Sequence, residues 1–174
     1  MADKIRVMIP EEEITKRIGE IAEQINKDYA GADNVVLICI LKGSVFVTTE
    51  LAKRITVPVT LDFMSVSSYE GGTESTGRVR IIKDLDDSIE GKNVIIIEDI
   101  IDSGRTLRNL LDMLSSRKPA SLKLLALLDK PSRRVVEVPV DYTGFEIPDE
   151  FVVGFGMDYD QRYRNLPFIG VVEN

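Results

Sequence analysis

Three carboxylates that could do chemistry lie close together in this sequence, at Glu98, Asp99 and Asp102. The adjacent pair suits a hydrated magnesium ion, which prefers oxygen ligands, or the hydroxyls of a sugar, which donate readily to carboxylates. Asp102 follows three residues after Asp99 and is placed to act as a general base. The spacing therefore predicts a site for a ligand that carries hydroxyls or a metal.

A hydroxyl-rich turn follows these carboxylates directly and reads Ser103-Gly104-Arg105-Thr106. Hydroxyl groups donate to phosphate oxygens, the guanidinium of Arg105 adds positive charge, and glycine lets the backbone approach a ligand closely. The free N–H groups of a helix that begins here would also attract an anion. The three carboxylates and this turn together predict a ligand with a phosphate at one end and a diol in the middle, such as a ribose phosphate.

A simpler interpretation of the same segment is that Ser103 caps a helix and the carboxylates form a solvated strand end. The combination of acids, hydroxyls and glycine in one short segment favours the binding site. The segment is not a Walker A loop, since the sequence contains no G-x-x-x-x-G-K, and no G-x-G-x-x-G follows a strand.

The elements around this segment alternate between strand and helix patterns. Residues 94–97 read Val-Ile-Ile-Ile, which is typical of a strand buried on both faces, and leucines at 107, 110, 111 and 114 lie on one helix face. Further strands are predicted at residues 6–9, 35–41, 59–66, 79–83, 122–128 and, as a last central strand, 151–155. Further helices are predicted from 11 to a stop at Gly31, and from a cap at Ser44 to about 54. This alternation predicts an α/β fold with a parallel twisted sheet flanked by helices.

Composition limits the class of protein. The chain has 174 residues, one cysteine, no histidine and a formal net charge of −7, which predicts one domain over residues 1–174. Without histidine, a general base must be a carboxylate, lysine or tyrosine. Cys39 lies in an apolar run and is interpreted as a buried hydrophobe. No signal peptide or membrane span is recognisable, so we expect a cytoplasmic protein with no membrane partner, and its acidic charge disfavours a nucleic-acid partner.

Residues 98–107 resemble the phosphoribosyl pyrophosphate-binding motif of the type I phosphoribosyltransferases. Three other segments resemble the purine phosphoribosyltransferases, the last two of them the hypoxanthine-guanine branch, and the likeness runs from about residue 5 to the end of the chain. The segments are Leu41-Lys42-Gly43-Ser44, Asp129-Lys130-Pro131 and residues 148–159. Alone, Leu41-Lys42-Gly43-Ser44 is as consistent with a plain strand-to-helix turn as with an anion site.

The resemblance implies roles for individual residues. Phosphoribosyl pyrophosphate would be bound by Lys42, Gly43, Glu98, Asp99, Asp102, Ser103, Gly104, Arg105, Thr106 and Arg164. The purine would be bound by Lys130, Phe151, Val152 and Asp158. Magnesium, Mg2+, would be held by Glu98, Asp99 and Asp158. Asp102 would be the catalytic base, and Ser68 and Tyr69 would belong to a mobile loop over residues 67–77.

The resemblance also implies the type I phosphoribosyltransferase fold, with a small hood built from the chain ends. The implied reaction is purine salvage, in which the 5-phosphoribosyl group of phosphoribosyl pyrophosphate passes to N9 of hypoxanthine or guanine and gives IMP or GMP. A homodimer or homotetramer is implied as well. One alternative is a regulator on the same fold that senses phosphoribosyl pyrophosphate and binds RNA or DNA, which the acidic charge disfavours. Another is a phosphoribosyltransferase for pyrimidines or xanthine.

Overall fold

The computed structural model describes residues 3–68 and 78–173 of the chain. Strands and helices alternate along most of this length, as the sequence predicts. The elements are β1 (Lys4–Ile9), α1 (Glu11–Asp28), β2 (Val35–Ile40), α2 (Val45–Ala52), β3 (Val59–Ser68), β4 (Val79–Lys83), β5 (Asn93–Ile101), α3 (Arg105–Ser115), β6 (Ser121–Asp129), a 3-10 turn (Pro131–Arg133), β7 (Tyr142–Glu146), β8 (Val152–Val153) and β9 (Ile169–Glu173).

Six strands form the main sheet in the order β4-β3-β2-β5-β6-β7. The neighbours β3, β2, β5, β6 and β7 are parallel, and only the edge strand β4 runs antiparallel, beside β3. The predicted α/β class with a mainly parallel sheet is therefore confirmed. Because β5 lies between β2 and β6, the segments that leave the carboxyl ends of these three strands meet at one rim, where ligands bind in such sheets.

Helices cover both faces of this sheet and explain its continuous apolar strands. Ile95 and Ile97 face a core cluster shared with α1 and α2, whereas Val94 and Ile96 face a second cluster shared with α3. This alternation follows from the two-residue period of a strand. The predicted apolar faces are buried, at Ile14, Ile18, Ile21 and Ile25 in α1 and at Leu107, Leu110, Leu111 and Leu114 in α3. No helix in the described ranges is long and apolar enough to cross a membrane.

A second, three-stranded sheet joins the two ends of the chain in the order β1-β9-β8. Both pairings are antiparallel, and they form the hood expected from the chain ends. The prediction of a last central strand at residues 151–155 is wrong. Only Val152 and Val153 form a strand, in this small sheet, because the backbone turns at Gly154 with φ 94° and at Phe155 with φ 47°.

Other differences from the predicted elements are smaller. Strand β7 was not predicted, since it lacks a continuous apolar run and packs as a half-buried strand beside β6. Helices α1 and α2 end at Asp28 and Ala52, slightly before their predicted ends. Ser44 precedes α2, but its hydroxyl donates to the carbonyl of Ile40 at 2.7 Å and does not cap the helix.

The contact between β7 and β6 gives a test of the packing. A Cβ added at Gly144 would lie 2.3 Å from the backbone oxygen of Leu127, which cannot move without disturbing β6. Gly144→Ala should therefore lower the free energy of unfolding by roughly 1–3 kcal/mol, the usual scale for overpacking. Urea unfolding measures the change.

Gly19→Ala is the matched control, because nothing lies within 4 Å of the added atom and the residue belongs to helix α1. Alanine is the better helix former, so this variant should be as stable as the original protein or more stable by up to about 1 kcal/mol. Equal stability of the two variants would contradict the close packing at Gly144.

Candidate active site at the carboxyl ends of the central strands

The adjacent carboxylates Glu98 and Asp99 lie inside strand β5, which continues to Ile101. Because successive side chains of a strand point to opposite sides, the two carboxylates line different cavities. Glu98 lines a cavity of about 230 Å³ next to the hydroxyl-rich turn. Asp99 lines a cavity of about 180 Å³ next to Lys130 and Phe151.

Burial makes both carboxylates costly to ionise. Each residue keeps some accessible surface along the cleft, but the carboxyl groups are enclosed by protein. Burial raises the pKa of Glu98 well above its usual range, and the neighbouring Asp99 carboxylate adds to the rise. Burial also raises the pKa of Asp99, although the N–H of Ile100 donates to it at 2.7 Å and opposes the effect. A pair of carboxylates in this state favours a cationic or hydroxyl-bearing ligand.

The donor set fits a hard cation in part. Two half-buried carboxylates supply the oxygen ligands that magnesium prefers, but no group of three or more possible metal ligands occurs within residues 3–68 and 78–173. The carboxylate of Asp158 instead contacts Arg164 at 3.2 Å and accepts the N–H of Gln161 at 2.8 Å. A magnesium ion at Glu98 and Asp99 would therefore need water or ligand oxygens to complete its coordination.

The hydroxyl-rich turn forms the wall of the larger cavity. Its lining includes Asp102, Ser103, Gly104 and Thr106, together with Glu98. Helix α3 begins at Arg105 and its cap position belongs to Gly104 with φ 84°, one residue after Ser103, although the hydroxyl of Ser103 accepts the N–H of Arg105 at 3.4 Å. The free N–H groups of the first helical turn thus adjoin two hydroxyls, an arrangement that binds anions. The side chain of Arg105 is not part of this lining.

The loop after β2 packs directly against the acidic end of β5. The peptide between Leu41 and Lys42 is cis, and a Cβ on Gly43 would lie 1.7 Å from Asp99 Oδ2. Any other residue at position 43 would force the carboxylate of Asp99 to move. The backbone of this loop therefore runs along the carboxylate of Asp99.

Two predicted cations come together through a residue that the sequence did not indicate. Gln161 Oε1 accepts from Lys42 Nζ at 3.1 Å and from Arg164 at 3.3 Å. Arg164 also donates to the carbonyl of Gly156 at 2.7 Å, and its side chain is mostly buried. A lone glutamine in a turn carries no sequence signal, so only the folded chain identifies Gln161.

All four residues predicted to bind a purine line the smaller cavity. The structure brings together Lys130, Phe151, Val152 and Asp158, and adds Met157, which the sequence had not suggested. The side chain of Lys130 is only 9% exposed and lies 3.7 Å from Asp102 Oδ1 and 3.6 Å from Asp149 Oδ1.

Phe151 is apolar, so its residue type alone suggests a place in the core, but the structure places it at the surface. It is 55% exposed, and its ring meets the ring of Tyr159 edge to face with centroids 5.6 Å apart. Phe155, four residues later, is buried. An exposed aromatic face beside a polar cavity is suited to stacking on a planar ligand.

The predicted mobile loop lies largely outside the described residues, which exclude Tyr69. Ser68 ends strand β3, and its hydroxyl lies 2.8 Å from the hydroxyl of Thr106. The end of β3 therefore reaches the phosphate side of the site.

Comparison with known proteins identifies the relatives of this chain. Residues 10–160 match the family model described as phosphoribosyl transferase domain. The hypoxanthine-guanine phosphoribosyltransferase of Streptococcus thermophilus (strain CNRZ 1066) is 51% identical over 168 residues, 97% of this chain and 93% of that protein. The hypoxanthine phosphoribosyltransferase of Escherichia coli (strain K12) is 52% identical over 174 residues, 99% and 97% of the two chains. A crystal structure of a hypoxanthine phosphoribosyltransferase from Staphylococcus aureus has a TM-score of 0.93 at 51% identity and covers 97% of this chain and 91% of that one.

The enclosed acid pair predicts a pH-dependent effect of Glu98→Gln on stability. Because the folded protein holds the proton of Glu98 more tightly than the unfolded chain, the original protein loses stability as the pH rises from the ordinary pKa of 4.5 through the raised pKa. Glutamine stays neutral at every pH. In metal-free buffer, Glu98→Gln should therefore raise Tm at about pH 8 and have a much smaller effect at about pH 4.

Glu90→Gln serves as the control, because Glu90 is exposed and lies outside the site. The Tm of this variant should differ from the original protein by a small and similar amount at both pH values. If the effect of Glu98→Gln were the same at both pH values, the enclosed carboxylate would not be the cause.

Proposed function

Because this chain belongs to the phosphoribosyl transferase family, we propose that its two adjoining cavities hold phosphoribosyl pyrophosphate and a purine base side by side. The chain is an enzyme of purine salvage and transfers the 5-phosphoribosyl group to hypoxanthine or guanine. One observation supports the arrangement above all: Asp102 lines both cavities and so lies where the two substrates would meet. The relatives compared above are named as enzymes, so they give no support to a nucleic-acid-binding regulator.

The larger cavity is proposed to bind the ribose 5-phosphate end of the donor. The backbone and hydroxyls of the turn from Ser103 to Thr106 would hold the phosphate, with Arg105 adding positive charge from the first turn of α3. Glu98 and Asp99 would accept hydrogen bonds from the ribose hydroxyls. The fit rests on the hydroxyls of Ser103 and Thr106 and the carboxylate of Glu98, which line the same cavity.

The leaving pyrophosphate is proposed to lie along the loop of Lys42 and Gly43. Lys42 and Arg164 converge on Gln161, so two positive charges adjoin the loop whose backbone passes Asp99. We propose that magnesium binds at Glu98 and Asp99, and a second ion at Asp158. When bound there, magnesium supplies positive charge that stabilises the departing pyrophosphate. Lys42 and Arg164 would stabilise the same charge from the protein side.

The smaller cavity is proposed to bind the purine. Lys130 would donate from its buried ammonium to the exocyclic oxygen of the base, Phe151 would stack on the ring, and Val152 and Asp158 would face the purine edge. Asp102 would accept a proton from the purine ring as N9 bonds to the anomeric carbon. The proximity of Lys130 Nζ to Asp102, 3.7 Å, supports this placement, since both residues line the same cavity.

Further proposals concern the chain as a whole. We propose that residues 1–174 act as one domain, that the chain assembles as a homodimer or homotetramer, and that it works in the cytoplasm. The loop over residues 67–77, with Ser68 and Tyr69, is proposed to close over the donor. The contact of Ser68 with Thr106 supports this, because it places one end of the loop beside the phosphate side of the site.

Magnesium dependence is the first test of this proposal. Purified protein with phosphoribosyl pyrophosphate and hypoxanthine or guanine should form IMP or GMP only when magnesium is present. Excess chelator should abolish nucleotide formation, and added magnesium should restore it, because the donor's charge and the acid pair both require a cation. The amount of IMP or GMP formed is measured by chromatography. Equal turnover in chelator would exclude a role for the metal.

Lys130→Ala is the second test. A buried ammonium that donates to a carbonyl contributes on the order of 1.5–3 kcal/mol, so the KM for the purine should rise about tenfold or more. The KM for phosphoribosyl pyrophosphate should change little. Lys92→Ala, at an exposed residue outside the site, should leave both values unchanged. A rise confined to the KM for phosphoribosyl pyrophosphate would place Lys130 at the phosphate end instead.

A further inference from the structure

Three successive residues after the 3-10 turn hold the backbone of the loop that carries Asp102. Arg134 Nε donates to the carbonyl of Asp102 at 3.2 Å. The N–H groups of Val135 and Val136 both donate to the carbonyl of Ser103, at 2.9 and 3.1 Å. The loop between β5 and α3 is therefore held from outside by a segment that comes about thirty residues later in the chain. We call Arg134, Val135 and Val136 the supporting segment.

Arg134 is itself fixed at its other end. Its guanidinium contacts the carboxylate of Asp129, the last residue of β6, and both side chains are mostly buried, at 19% and 12% exposure. The planar guanidinium presents several donors in a rigid fork, so one residue can bind a carboxylate and a carbonyl in a fixed geometry. Arg134 thus ties the end of β6 to the loop that follows β5.

The side chain of Asp102 has little else to orient it. It is 52% exposed, and its one ion-pair partner among the described residues is Lys130 Nζ at 3.7 Å, which is beyond hydrogen-bond distance. The backbone at residue 102 therefore sets the region that its carboxylate can reach. That backbone is held through its carbonyl, and the carbonyl is bound by Arg134.

We infer that Arg134 is a positioning residue for the transfer reaction: by holding the carbonyl of Asp102, it aims the Asp102 carboxylate at the purine. The inference rests on the proposed role of Asp102 as the base. Arg134 does not line either of the two substrate cavities, so it acts through Asp102 and not by touching substrate. Its guanidinium also connects the phosphate side of the site with the strand that delivers Lys130.

Arg134→Lys tests the inference. Lysine keeps the positive charge beside Asp129 but cannot reach both the carboxylate and the carbonyl with one rigid group. The single-turnover rate should fall about 10- to 100-fold, because small displacements of a catalytic group cost that much. The KM for the purine should stay within about twofold, since Lys130 and Phe151 remain in place. Single-turnover measurement is needed because product release can limit kcat.

Two further variants separate positioning from general damage. Arg133→Lys makes the same chemical change one residue earlier, where the side chain is 56% exposed and contacts Asp149, and it should retain the original rate. Arg134→Gln is measured in parallel, and Tm is recorded for every variant. If one of the two variants at position 134 fails to fold, the rate of the other tests the inference. A loss of rate that only follows a loss of Tm would overturn the inference.

A double-mutant cycle with Asp102→Asn decides whether Arg134 acts through Asp102. If it does, the substitution at Arg134 should lower the rate by less than about twofold in the Asp102→Asn background, because coupled residues are not additive. The same loss in both backgrounds would overturn the inference while leaving the proposed function intact. If Asp102→Asn alone leaves the rate unchanged, the proposed base is wrong, and the inference about Arg134 is wrong with it.

Discussion

The enclosure of two adjacent carboxylates at the end of a strand buried on both faces is the constraint on which the site depends. Strand β5 needs helices on both sides, because residues 94–97 are apolar on both faces. The polar residues that continue this strand must then leave the core at the rim of the sheet. Glu98 and Asp99 do so while still surrounded by protein, and burial raises the pKa of both. Ionisation of either carboxyl group therefore lowers the stability of the folded protein.

The same constraint determines what surrounds the acid pair. Three stretches of chain converge there: the loop after β2, the end of β5 and the turns between β8 and β9. Gly43 permits the closest approach, since its Cα lies against the carboxylate of Asp99. Lys42 and Arg164 converge on Gln161, and the positive charge of Arg164 opposes the rise in the pKa of Asp99 that burial causes. Charges of both signs are therefore held in one cleft by backbone packing, which is preorganisation of the kind that electrostatic catalysis requires.

The two cavities are not independent parts of the structure. The segment that follows β6 carries Lys130 into the smaller cavity and, a few residues later, binds the loop that walls the larger one. The N–H of Lys130 donates to the carbonyl of Ile101 at 3.0 Å, and the supporting segment continues this contact to Asp102 and Ser103. A displacement of the wall of one cavity would therefore be transmitted to the other cavity. The hydrogen bonds that transmit it join the ends of β5 and β6, which are neighbours in the sheet.

The sequence by itself determined the alternation of elements, the buried faces of α1 and α3, and the strand–turn–helix segment that carries Glu98 to Thr106. Each of these depends on residues that are near one another in the chain, so periodicity and turn chemistry are enough to predict them. The tertiary structure alone decided that residues 151–155 leave the main sheet, that Phe151 is exposed while Phe155 is buried, and that Arg164 pairs with Asp158. It also decided the roles of Gln161 and Arg134. These features depend on which strand ends become neighbours, and strand order is fixed by packing between segments that lie far apart in the chain.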